Sequence, residues 1–229
     1  RDQLECETDA YEETRKITQD LLALEETRPR EWWGLDRSAV YDIQIATSVL
    51  LQMSHRYLLV RAQLPYLLKA KGDVRYQPNA TACMHACRDV LRRYFAVRTC
   101  LAAGVFLSRT CEIQVFIACV VLLLHRDRLS WYLPLTESWE SDAALLENAK
   151  LAIEKAPAGI TGSFTQNMVS ALNQIQHCLD AAADSPSVVQ LRVPLLGTIS
   201  VCKSTPDRES STEYEAMACN ALPSISTPD

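Results

Sequence analysis

The densest group of side chains able to do chemistry is Cys83-Met84-His85-Ala86-Cys87. Residues four apart on a helix share a face, so both thiolates can reach one zinc ion, while His85 points elsewhere. The two cysteines also fall on an apolar stripe, where they read as reduced core residues. The nine cysteines, at positions 6, 83, 87, 100, 111, 119, 178, 202 and 219, include no pair with the two-residue spacing of a zinc knuckle or redox motif. Apolar neighbours and the lack of a secretory signal favour a cytosolic or nuclear compartment. His55, His125 and His177 have no partner at helical spacing and read as surface or helix-end residues. Glu12–Glu13 and Glu25–Glu26 are carboxylate pairs on an acidic helix. A solvated face is expected there, not the dry cleft that shifts a carboxylate for general acid–base work.

Other catalytic signatures are missing as constellations. The chain has no Gly-x-Ser-x-Gly elbow and no His-Glu-x-x-His, and Gly159-Ile-Thr-Gly162 reads as a loop with no lysine after it. With six glycines in all, a backbone-lined phosphate site is not expected. No catalytic, cofactor or metal residue is assigned, and the chain reads as a non-enzyme. Formal charge is −5, but it is unevenly spread. From Met53 to Arg98 the basic residues, Arg88, Arg92 and Arg93 among them, face only Asp73 and Asp89, while residues 1–31 and the chain from Glu137 onward are acidic. The basic centre reads as a solvated face with internal ion pairs to the acidic flanks. Few aromatics are interleaved with the arginines, so no nucleic-acid contact is assigned to this segment.

The elements that must position these residues are mostly helices. Thr14 to Glu26 carries Ile17, Leu21, Leu22 and Leu24 as a partly amphipathic stripe, stopped by Pro29. From Val40 to about Val60, Ile43, Thr47, Leu50, Leu51, Ser54, Tyr57 and Leu58 share one face, with Pro65 near the end or in a short continuation. Lys71-Gly72-Asp73 signals a turn. Asn79 or Thr81 can cap the next helix, whose buried side holds Cys83, Ala86, Cys87, Val90, Leu91, Tyr94, Val97 and Leu101, with Arg88, Arg92 and Arg93 opposite. After Gly104, Glu112 to His125 is apolar nearly all round, as a central, surrounded helix is. The run Val115 to Leu124 is about half the roughly 20 residues that span a bilayer, so it reads as core. An aromatic connector, Trp131-Tyr132-Leu133-Pro134, follows. Ser141 or Asp142 can start a helix through Ile153, ended by Pro157 and Gly159. Ser163 with Gln166 has capping-box spacing ahead of a helix buried through Phe164, Met168, Ala171, Leu172, Ile175, Cys178 and Leu179. Beyond Pro186, residues 188–201 alternate as an extended segment or small hairpin, and Lys203 to Asp229 reads as a disordered Ser/Thr/Pro-rich acidic tail. The expected fold is all-α, an irregular multi-helix bundle around a central apolar helix, with one domain over 1–202 and the tail over 203–229.

The string Ser54-His-Arg-Tyr-Leu-Leu-Val-Arg-Ala-Gln-Leu-Pro-Tyr-Leu-Leu68, then Asp73-Val-Arg-Tyr76, then Cys83 through Arg93, resembles the distal half of the middle-homology regulatory domain of fungal zinc-cluster transcription factors. Phe116 to His125 resembles the next apolar helix of that family, and Pro194-Leu-Leu-Gly-Thr-Ile-Ser200 is similar to a late Pro-Tyr-Phe-Gly-Thr-Ile-Ser-like string. The resemblance spans about residues 15–202. It departs at Ala62-Gln63, where the family tends to show His-Arg, and at Leu195-Leu196, which replace an aromatic pair.

The resemblance implies a regulatory or interaction domain of a nuclear factor controlling RNA polymerase II transcription. Its partners would be the transcriptional machinery or co-regulators, and it would act without a membrane. A homodimer is compatible with it. Because the chain opens on Arg1, a missing N-terminal portion is expected to hold the two-zinc cluster, and with it the zinc and the DNA contacts. The alternative is a helical sensor of an apolar metabolite, lined by Cys83, Cys87, Phe116 and Met168.

Overall fold

The first helix, α1, runs over Asp2–Glu26, a stretch without glycine or proline. It unwinds as Thr27 Oγ1 and the Thr27 amide both donate to Leu24 O, and Pro29 then opens a 3-10 turn over Arg30–Trp33. This computed structural model describes residues 2–35, 43–70, 73–100, 109–128, 139–155, 158–180, 188–193 and 197–202. They divide into two compact units, residues 1–169 and 170–229.

In the first unit, α2 (Ile43–Lys69) and α3 (Gln77–Cys100) make the most extensive packed pair. They are antiparallel: Cys83 Sγ donates to Val60 O, Asn79 Nδ2 to Gln63 Oε1 and Arg93 Nε to Gln52 Oε1. Pro65 lies inside α2, which continues past it to Lys69. Between the two helices the Asp73 carboxylate accepts from the Arg75 amide at 2.9 Å and caps a 3-10 turn over Val74–Tyr76. The α3 helix therefore begins at Gln77, earlier than a cap at Asn79 or Thr81 would allow. Asn79 is bonded to Tyr11 and Gln63 instead, and Thr81 Oγ1 donates to Gln77 O.

Helix α4 (Arg109–Arg128) packs on α3 and α2, and α5 (Trp139–Glu154) packs on α3 and α4. Every residue from Gln114 to Leu123 is buried, so the apolar run is the centre of the core, as its all-round hydrophobicity requires. Burial of each large side chain there contributes about 1.5–3 kcal/mol relative to exposure. Among the described residues no helix is long and apolar enough to cross a membrane. The predicted buried side of α3 is found, from Cys83 through Val97, but Arg88 and Arg93 are buried too, at 6% and 4% exposure, and do not form a solvated opposite face.

The apolar faces read for α1 and α2 are turned the other way. On α2 Leu51 and Leu58 are exposed, and the inward face uses Ala46, Val49, Met53 and Val60 together with Gln52, His55 and Gln63. On α1 Ile17, Leu22 and Leu24 are exposed, whereas Tyr11, Thr14, Thr18, Leu21 and Glu25, at alternating three- and four-residue steps, are the half-buried ones. Polar side chains win these positions because each has a hydrogen-bonding partner on another element, as Gln63 has in Thr18, His55 in Glu25, Gln52 in Trp32 O and Tyr11 in Asn79, so their burial is compensated.

Helix α6 (Ala158–Asp180) crosses from the first unit into the second and buries Met168, Val169, Leu172, Ile175, Cys178 and Leu179. It begins five residues before Ser163, so Ser163 and Gln166 lie inside the helix rather than at its start. Gly159 and Gly162 are helical rather than loop residues. Helix α5 likewise starts at Trp139, ahead of the Ser141 or Asp142 start read from the sequence. The second unit also holds an antiparallel hairpin, β1 (Val188–Val193) with β2 (Gly197–Cys202), in register from Val188 opposite Cys202 to Val193 opposite Gly197. The predicted extended segment is therefore a two-stranded hairpin. The tail from Lys203, the Trp131–Pro134 connector, Gly104 and the Lys71-Gly72 turn lie outside the described residues.

Candidate functional site

The residues singled out for chemistry sit mostly in the interior. Cys83 and Cys87 are fully buried with Cys119 of α4, all as free thiols. Burial pushes the Cys87 thiol well above its ordinary value, helped by its hydrogen bond with Cys83, and burial pushes Cys119 up to about 12. A thiol held protonated is neither a nucleophile nor a metal ligand. His85 is exposed, away from both cysteines, and among the described residues no group of three ligating side chains is arranged around a common point. Phe116 and Met168, the other two residues of the sensor reading, are each 2% exposed.

Among the described residues, three polar nodes cross the core. In the first, Arg88 of α3 grips Asp142 of α5 through two parallel bonds, Nε to Oδ1 at 2.7 Å and Nη2 to Oδ2 at 2.8 Å, with both side chains 7% exposed. His125 of α4 senses both charges. Burial and then Arg88 hold its imidazole down at about 4, and its buried Nε2 has no hydrogen-bond partner among the described residues. His125 thus sits in the last turn of α4, a helix end as its sequence reading has it, but half-buried beside the ion pair. In the second node, Tyr94 donates to Glu112 Oε2 at 2.5 Å, and Arg98 bonds both the tyrosine oxygen and Glu112. Burial raises Glu112 above the usual carboxylate range, against the pull of its two partners.

The third node fastens α1 and the 3-10 turn Arg30–Trp33 to α2 and α3. Glu25 accepts from His55 Nε2 at 3.0 Å and from Arg56, while Arg56 Nε lies 3.2 Å from Asp89 Oδ2. Arg93 adds bonds to Gln52 Oε1 and Trp33 O, and Gln52 donates to Trp32 O. The Trp33 indole donates to Glu25 O and lies against the His55 ring and the Arg56 guanidinium. His55, expected at the surface, is 8% exposed, and Glu25 belongs to an ion-paired cluster rather than a solvated carboxylate pair. Glu12 and Glu13 are exposed, as is His177. Further along α1, Tyr11, Tyr66 and Tyr76 make edge and tilted contacts, and Tyr66 OH donates to Ala10 O.

Chemically, these nodes hold helices in register. In each the carboxylate is engaged by guanidinium groups, and none opens a nucleophile or a base to a substrate. Sequence reasoning missed Asp142, Gln52, Gln63 and Glu112 as bonding residues. Spacing puts Arg88 on the side of α3 opposite the apolar stripe, and its partner is 54 residues away, so no local pattern names the pair. The internal ion pairing expected between the basic centre and the acidic flanks is present in Arg56–Glu25 and Arg88–Asp142.

No family model matches the chain, and no solved structure matches it. It is similar to proteins known from fungi. The dehydrocurvularin biosynthesis regulator of Alternaria cinerariae is 25% identical over 239 residues, covering 89% of this chain and 31% of that protein. The transcription factor sdnS of Sordaria araneosa is 24% identical over 213 residues, covering 84% of the chain and 28% of the relative. A dehydrocurvularin biosynthesis regulator of Aspergillus terreus is 30% identical over 122 residues, half of this chain and 17% of that protein. The chain thus spans a third or less of the length of these relatives, and all three are named as regulators or transcription factors rather than as enzymes.

Proposed function

We propose that this chain is the regulatory and partner-docking module of a fungal transcription factor. The observation that carries the reading is the similarity to two proteins named for regulation across 89% and 84% of the chain. The helical interior supports it, since its ionisable groups are spent on holding helices together and the surface is left for contacts. In this reading the factor belongs to the zinc-cluster class and acts in the nucleus on RNA polymerase II transcription. A two-zinc cluster elsewhere in a longer polypeptide reads DNA, and the module engages the transcriptional machinery or co-regulators.

The test is an in-frame deletion of the segment encoding this chain from the parent gene, with DNA occupancy and target transcripts measured together. Occupancy is expected to persist while transcript levels change. Specific DNA binding by this chain alone, or unchanged transcripts after its removal, would count against the proposal.

A further inference from the structure

Glu13, Ile17, Asp20 and Leu24 follow one another on α1 at steps of four, three and four, so they form a single stripe along the helix, and all four are exposed. Ile17 is 48% and Leu24 54% exposed, on a helix already fixed to α2 through its other, polar face. The stripe therefore alternates carboxylate, aliphatic, carboxylate, aliphatic. We propose that it docks a basic amphipathic helix of a partner protein, one presenting Lys or Arg opposite Glu13 and Asp20 and aliphatic side chains opposite Ile17 and Leu24. The proposal rests on the reading of the chain as an interaction module and names the chemistry of what it engages.

The order of charges selects this occupant over the others. In a parallel pair with a second copy, Glu13 meets Glu13 and Asp20 meets Asp20. In an antiparallel pair, Glu13 falls opposite Leu24 and Ile17 opposite Asp20, so each carboxylate is desolvated against an aliphatic group. Both arrangements of a homodimer on this stripe are mismatched. The rest of α1 has Arg15 and Lys16 as its only basic residues among many carboxylates, which repels nucleic acid and anionic membrane alike. A helix alternating basic and aliphatic side chains at the same steps satisfies every position, in the way charged and apolar positions set partner choice in paired helices.

The probe is a synthetic helix of roughly five turns with Leu and Lys in that alternation, titrated against the 229-residue chain by fluorescence anisotropy. Saturable binding is expected, weakened by salt and reduced about tenfold or more in the double variant Ile17→Ser, Leu24→Ser. These side chains are exposed, so the variant keeps its fold, which its melting curve verifies. Leu151→Ser, an exposed leucine on α5, serves as the control that leaves binding unchanged. Equal binding of a peptide with Glu in place of Lys, or no effect of the double variant, would overturn the assignment. Concentration-dependent self-association abolished by the double variant would give the stripe to a second copy instead. Binding to phosphatidylserine vesicles that the double variant abolishes would give it to a membrane surface. Failure of the regulatory reading shows in the transcript measurement while peptide binding persists, so the two outcomes are separable.

Discussion

A buried charge is tolerated when its partner is present and costly when the partner is removed, which makes the Arg88–Asp142 bond asymmetric under mutation. Asp142→Asn is expected to cost about 3–5 kcal/mol, read as a lowered urea midpoint, because Arg88 is left uncompensated. The double change Arg88→Met, Asp142→Leu is expected to be near neutral on the same measurement, since it removes both charges. Beside this pair, His125 makes stability depend on acidity. Its folded-state value of about 4 lies below the ordinary 6.5, so the unfolded chain takes up the proton first as pH falls. Stability fully present above pH 6.5 is then lost progressively down to about 4, where the loss levels off. The loss is on the order of 3 kcal/mol, and His125→Gln is expected to abolish it when denaturation midpoints at neutral and acid pH are compared. Glu112, raised by burial, works in the opposite direction, so the difference between variant and wild type isolates the histidine.

At the scale of elements, α1 is held by directional bonds rather than by an apolar seam. Glu25→Ala removes the acceptor shared by His55 and Arg56 and is expected to weaken this attachment by about 1–3 kcal/mol. Hydrogen exchange should then quicken in α1 and in Arg30–Trp33 while α4 stays protected. Pro65 lacks the amide that would bond back within α2 and is exposed, so Pro65→Ala is expected to raise the melting temperature, by a gain of up to about 3 kcal/mol. Periodicity revealed α3 and α4 because their buried faces are apolar, and Pro29 marked the end of α1. The same signal misplaced the faces of α1 and α2, where Gln52, His55, Gln63 and Glu25 turn inward. A polar side chain gains that position only through a partner on another helix, and a single strand of sequence carries no trace of the match. The start of α6 was hidden for a related reason: Gly159 and Gly162 look like loop residues, yet they lie within the helix.

At the largest scale, α4 packs against α2, α3 and α5 within the first unit. Leu122→Ala, at a position with no exposure, is expected to cost about 2–5 kcal/mol and to lower the unfolding midpoint of the first unit as a whole, in contrast to the local effect of Glu25→Ala. The central helix was legible at once, because a run apolar on every side has only the interior to occupy. The docking stripe on α1 was not, since exposed aliphatic groups look like core residues until their surroundings are known. The sealed thiols of α3 and α4 also make the protein its own clock. Cys83, Cys87 and Cys119 react with an alkylating reagent only when the bundle comes apart. The pace of their labelling, followed by mass spectrometry, therefore times how often the native bundle breathes open, with no dye or tag attached.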